Sequence, residues 1–137
     1  MTEAPPQSIF ELFQTIGFRD YRNADGELVV ELPVAPHVLN TNGGLQGGLL
    51  ATLVDITAGK LALEVISPET SVVTSDLSVR YLRPIKTGAA RATARIVYSG
   101  KHSLVMQVDI VGLPDEELTA IATVSFATVR RAGKENS

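Results

Sequence analysis

The segment Asn40-Thr41-Asn42-Gly43-Gly44-Leu45-Gln46-Gly47-Gly48 is a glycine-rich turn that runs straight into Leu49-Leu50-Ala51-Thr52-Leu53-Val54-Asp55. A carboxylate in such an apolar helical run is uncommon, because an ionised group taken out of water without partners is costly. Asp55 is therefore either compensated or used. A carboxylate held in an apolar site gains basicity, which suits a general base, whereas a bond to a neighbouring helix or strand would make it structural. Gly47 stands at the helix start, where free amides carry partial positive charge and a missing side chain lets an oxyanion approach. Gly43, Gly44 and Gly48 read as turn glycines. The Asn40 amide fits a local Asx turn as well as the orientation of a water molecule.

Other constellations carry less. His37 and His102 lack the context of a catalytic triad, since there is no G-x-S-x-G turn, and they read as ordinary histidines. No metal-ligand spacing is present, and the chain contains no cysteine, which removes disulfides, thiolate sites and Cys nucleophiles and suits a reducing compartment. The glycines do not form a P-loop or a dinucleotide fingerprint, because they do not follow a strand in a βαβ unit. Arg80, Arg83 and Lys86 lie near a turn, as solvated charges or as contacts for phosphate groups.

The elements that must position these residues follow from periodicity. Ser8 is placed to cap a short amphipathic helix over Ile9 to Ile16, with Glu11 at capping-box spacing. Phe18 to Arg22, the turn Asn23-Ala24-Asp25-Gly26, and Glu27 to Val34 predict a hairpin with Leu28, Val30, Leu32 and Val34 on its buried face. A long helix from Gly47 to Ile66, apolar round most of its circumference, must be wrapped by other structure, and Ser67-Pro68 stops it. The rest alternates with period two. Val73 to Leu82 sets Leu77, Val79 and Tyr81 against Asp76, Ser78 and Arg80. Ala90 to Tyr98 sets Ala92, Ala94, Ile96 and Tyr98 against Arg91, Thr93 and Arg95, and strands follow around Leu104 to Ile110 and over Leu118 to Val129. The reading is one α+β domain over residues 1–137, with 1–7 and 130–137 flexible. Its sheet curls round the long helix, and a strand edge is left for a second copy to pair with.

The bulk numbers narrow the function classes. The chain has 137 residues with Lys+Arg 12 and Asp+Glu 15, a formal charge of −3, so no positive field is available to hold nucleic acid. The tract from Leu49 to Ile66 is interrupted by Asp55, Lys60 and Glu64 and does not meet the requirement of a bilayer span. The first residues carry no secretory signal, and the cytoplasm is the expected compartment.

The order of elements together with the glycine motif resembles the hotdog superfamily, in its PaaI-type phenylacetyl-CoA thioesterase branch. The signature N-x-x-G-x-x-H-G-G followed by L-x-D is matched by Asn40, Gly43, Gly47, Gly48, Leu53 and Asp55, with Gln46 at the position of the His. A second matching segment is Thr74-Ser75-Asp76-Leu77-Ser78-Val79-Arg80-Tyr81-Leu82-Arg83-Pro84. The resemblance implies a hotdog fold, a curved antiparallel sheet around one long central helix with a short N-terminal helix. It implies Asp55 as the catalytic base or nucleophile, Gly47 as the oxyanion-hole residue, Asn40 as a polar residue holding water or the thioester, and Thr74 as a residue that positions the water or the carboxylate. It also implies Arg80, Arg83 and Lys86 as contacts to CoA phosphates. Gln46 departs from the family, which has His there; glutamine hydrogen-bonds but does not titrate.

The expected activity is hydrolysis of an acyl-CoA thioester to a free acid and CoA, with coenzyme A as part of the substrate and no separate cofactor or metal. The expected assembly is a homodimer building a homotetramer. Asn40, Gln46 and Gly47 would come from one subunit and Asp55 and Thr74 from the other. A non-catalytic acyl-CoA sensor is the alternative that Gln46 suggests. A hotdog dehydratase or hydratase would need a His and carboxylate pair, which this motif lacks.

Overall fold

The structure, a computed structural model, describes residues 4–131. Helix α1, Ile9–Ile16, begins at Ser8, whose Oγ accepts from the Glu11 amide at 3.2 Å. It ends at Gly17, which takes the positive φ of 117° that a glycine C-cap supplies. Strands β1, Arg19–Arg22, and β2, Leu28–Pro33, form the expected hairpin, and a 3₁₀ turn over Pro36–Val38 leads to the glycine segment. Helix α2 covers Gly47–Val65, followed by β3, Thr70–Tyr81, β4, Ala89–Ser99, β5, Ser103–Leu113, and β6, Glu117–Arg130. The six strands form one antiparallel sheet in the order β1-β2-β4-β5-β6-β3.

Helix α2 lies in the concave side of this sheet and touches every strand from β2 to β6. Leu50, Leu53, Val54, Thr57, Ala58 and Ala62 form its buried side. The sheet answers with Leu32, Ala90, Ala92, Met106, Val108, Ile110, Ala122 and Val124, all within 5% of full burial. Alanines on both layers let helix and sheet approach closely, and the resulting apolar burial is the main stabilising term. This is the hotdog arrangement that the motif resemblance implies. Among the described residues no helix is long and apolar enough to cross a membrane.

Several expectations are corrected. Glu31, placed on the polar side of its strand, is 5% exposed. It is satisfied there, accepting from Arg19 Nη2 at 2.9 Å and from the Tyr21 hydroxyl at 2.6 Å. Ile96 and Tyr98, set on the apolar side of their strand, are 37% and 56% exposed. The reason is that β2 is short: its register reaches only from Ala89 to Ala92 of β4, and β4 bulges between Ile96 and Tyr98. Residues 130 and 131 belong to the segment expected to be flexible, and both make contacts with the body of the protein. Arg130 closes β6, and the Arg131 guanidinium donates to the carbonyls of Pro68 and Thr70 at 3.1 and 3.2 Å. At the other end the Gln7 amide donates to Glu11 Oε1 at 2.9 Å, while the rest of the expected flexibility, over 1–3 and 132–137, lies outside the described residues. His37 has a structural bond to the Ile16 carbonyl at 2.8 Å.

Candidate active site

The glycine segment is built by Asn40. Its Oδ1 accepts from the amides of Asn42 at 2.8 Å and Gly44 at 3.1 Å, while its own amide donates to the Gly44 carbonyl at 2.7 Å. Gly43 takes φ 86°, which costs glycine nothing. Gly44 is buried against Pro84 and Ile85, and Leu45 donates to the Ile85 carbonyl at 2.9 Å. The two sequence motifs thus meet in space, the second forming the floor of the first. The Asn40 side-chain oxygen is occupied by its local turn, which leaves its Nδ2 as the group free to face a ligand.

Gln46 is the N-cap of α2, its Oε1 accepting from the Leu49 amide at 2.8 Å. The amides of Gly47 and Gly48 find no acceptor among the described residues, so they are the orphan donors of this helix, at its positive end. The Gly47 carbonyl accepts from the Tyr81 hydroxyl at 2.5 Å, and the Tyr81 ring lies within van der Waals reach of a Cβ built on Gly47. Burial pushes the Tyr81 phenol above its usual value of 10. The sequence alone assigns Tyr81 no role, and its signal is its place just before Leu82-Arg83-Pro84.

Asp55 lies two turns further along α2 and is half-buried. Its Oδ1 accepts from Thr74 Oγ1 at 2.6 Å. A bulge makes this contact possible. The β3–β6 register slips between Thr74 and Asp76, so Thr74 opposes buried Phe126 while Asp76 opposes Ser125. With Ser75 as the extra residue, Thr74 shares the helix-facing side with Leu77, Val79 and Tyr81; strict alternation would turn it to the convex side. Ser75 Oγ fixes the bulge by donating to the Ser125 carbonyl at 3.1 Å.

The cations separate. Arg83 pairs with Glu117, and with Lys86, Thr87 and Asp115 it borders one shallow depression. Arg80 lies on the convex side beside Ser78, Gln107 and Thr123. Among the described residues there is no cluster of His, Cys, Asp or Glu that could hold a metal. A further depression of about 140 Å³ opens between α1 and α2, lined by Phe10, Phe13, Phe18, Val30 and Ile56 among others.

The sequence pattern of the thioesterase superfamily matches residues 42–119, from the glycine turn into β6. The chain belongs to the thioesterase superfamily. Within it, the human acyl-coenzyme A thioesterase 13 is 34% identical over 100 residues, 71% of this chain and 69% of that protein. The 1,4-dihydroxy-2-naphthoyl-CoA hydrolase of Listeria monocytogenes is 28% identical over 120 residues, 88% of this chain and 97% of that one. A Bacillus halodurans protein solved with CoA superposes with a TM-score of 0.83 at 30% identity, covering 88% of this chain and 80% of that one. Membership in this superfamily makes a thioester hydrolase the coarse description of the chain, with the site residues above as its candidates.

Proposed function

We propose that this thioesterase-superfamily chain is an acyl-CoA thioesterase of the phenylacetyl-CoA thioesterase-like branch, with each active site shared between two copies. The observation that carries the reading is a separation. Gly47 and Asp55 are eight residues apart on one continuous helix, or about 12 Å along its axis at 1.5 Å per residue. An oxyanion donor and a base acting on one carbonyl must each come within about 3 Å of the reacting atoms. One chain therefore supplies two half-sites, and a second copy completes them.

In the mechanism, a water held by Asp55 attacks the thioester carbonyl as the carboxylate takes one of its protons. The carbonyl oxygen becomes an oxyanion, which the Gly47 amide of the other copy stabilises. Collapse breaks the carbon–sulfur bond, and the proton held by Asp55 passes to the departing sulfur, giving a carboxylic acid and CoA. Gln46 cannot titrate, so the same carboxylate both takes and returns the proton. Thr74 keeps Asp55 pointed at the water, and the free Asn40 amide nitrogen faces the substrate. Arg83 and Lys86 suit the CoA phosphates.

The test is thiol release from acyl-CoA thioesters by the wild type and by Asp55→Ala. Loss of a positioned base lowers turnover by about 10²- to 10⁴-fold, with the fold and CoA binding retained. Unchanged turnover by Asp55→Ala would sink the mechanism. A wild type that binds acyl-CoA tightly and releases no thiol would instead establish the sensor suggested by Gln46.

A further inference from the structure

Where β3 ends and β6 begins, cations and carboxylates share one shallow depression. The loop after β3 contributes Arg83, Lys86 and Thr87, and the β5–β6 connection contributes Asp115, Glu117 and Thr119. The depression holds about 120 Å³, the share of about four waters at roughly 30 Å³ each, which is room for a phosphate group. The backbone amides of Lys86 and Thr87 find no acceptor among the described residues. The loop therefore offers an anion two amide hydrogens as well as two cationic side chains.

The carboxylates offset this. Glu117 pairs with Arg83 and Glu116 with Arg91, while Asp115 belongs to no ion pair among the described residues. With Arg83 and Lys86 set against Asp115 and Glu117, the depression carries no net charge. The backbone holds the opposed groups together. The amides of Leu82 and Arg83 both donate to the Thr119 carbonyl, at 2.8 and 3.3 Å, which fixes the root of Arg83 two residues from Glu117. The Glu116 amide donates to the Gly112 carbonyl at 2.7 Å and so fixes the turn.

Both partners of the Arg83–Glu117 pair are more than half exposed, and a pair of that kind is weak enough for a ligand to displace. A guanidinium holds phosphate in the same forked manner as carboxylate. Glu117 thus takes up the donors that a ligand phosphate would use. We propose that Glu117 is a built-in competitor for the CoA phosphates: its carboxylate holds Arg83 in the free protein, yields it when the coenzyme binds, and reclaims it as CoA leaves. This rests on the reading of Arg83 and Lys86 as phosphate contacts, and adds to it the regulation of that contact.

The chemistry of the reaction gives such a competitor a use. Hydrolysis leaves every phosphate of the substrate on the product CoA, so affinity for the phosphates is shared by substrate and product. Binding of this uniform kind does not lower the chemical barrier, and it slows product release. A resident carboxylate reduces it. Two unit charges 4 Å apart in bulk water change a binding constant about fivefold, and more beside a protein surface. The sign of the effect separates this role from its opposite. If Glu117 instead steered Arg83 towards the phosphate, removing its charge would weaken CoA binding.

Calorimetric titration with CoA reads the competition without any chemistry, and thermal melting checks that each variant is folded. Glu117→Gln, which keeps the size and removes the charge, should tighten the CoA dissociation constant about three- to tenfold. Asp115→Asn, on the same depression but in no ion pair, should change it less than about twofold. Arg83→Gln should weaken CoA binding at least threefold, and in that background Glu117→Gln should lose most of its effect. Pantetheine, which has the thiol arm of CoA and none of its phosphates, should gain nothing from Glu117→Gln. Unchanged or weaker CoA binding by Glu117→Gln, with Arg83→Gln still weakened, would overturn the competitor and leave the phosphate contact standing. An equal gain in Asp115→Asn, or an undiminished gain in the Arg83→Gln background, would reduce Glu117 to general charge and overturn it as well. CoA binding indifferent to Arg83→Gln would remove the phosphate contact itself, and the competitor with it. A wild type whose CoA binding answers to both variants but which releases no thiol from acyl-CoA rejects the enzymatic reading and leaves the competition in place.

Discussion

At the residue scale, the candidate site holds two hydroxyls, one beside each of its proposed halves. Thr74 supplies a donor to Asp55, and Tyr81 supplies one to the Gly47 carbonyl. The second is the more unusual, because it ties the first turn of α2 to the far end of β3 while leaving the Gly47 and Gly48 amides free. A hydrogen bond of this kind contributes about 0.5–1.5 kcal/mol net, so Tyr81→Phe, which keeps the ring, should lower kcat by about three- to tenfold. KM should stay within about twofold, since nothing that touches CoA is removed. An unchanged kcat would reduce Tyr81 to packing. The pH sign is also defined. Burial raises the folded-state value of the phenol above 10, so its contribution to stability is complete below pH 10 and is lost as pH rises through that folded value. The melting temperature of the wild type should therefore fall relative to Tyr81→Phe only on the alkaline side.

At the element scale, the helix start shows both what was legible in the sequence and what was not. The spacing from Asn40 to Asp55 located the turn, the helix and its carboxylate, because glycine turns and apolar periodicity are local signals. It did not show that Gln46 caps α2 through Leu49, since a glutamine at that position is chemically open to several partners. Nor did the alternation around Leu77 show that Thr74 faces the helix; a bulge is an event between strands, and one strand read alone keeps strict phase. The burial of Glu31 is hidden from a single strand for the same reason, its partners Arg19 and Tyr21 lying across the hairpin register. The cap is directly testable. Gln46→Ala should cost about 0.5–2 kcal/mol of stability in chemical denaturation, and Gln46→Ser, a better cap former, should recover most of it. Loss of activity in Gln46→Ala with recovery in Gln46→Ser would show that the helix start, rather than the amide group itself, is what catalysis needs.

At the scale of the whole molecule, a site split between copies predicts complementation. Gly47→Pro is suited to remove the oxyanion donor: proline lacks the amide hydrogen and is favoured at the first helical position. Gln46 already has φ −67° and ψ 132°, the extended geometry that a residue before proline adopts. Asp55→Ala removes the other half-site. Each variant alone should be inactive as a homodimer. In a hybrid, the Gly47 of the Asp55→Ala copy faces the Asp55 of the Gly47→Pro copy, so one of the two sites is whole. Random exchange of equal amounts makes half of the dimers hybrids, and half of their sites work, so activity should return to about a quarter of wild type. If both halves acted within one chain, every copy in the mixture would carry a defect and no activity would return. The recovered activity should also be lost on dilution below the dimer dissociation constant, at the same concentration at which sedimentation shows the dimer dissociating.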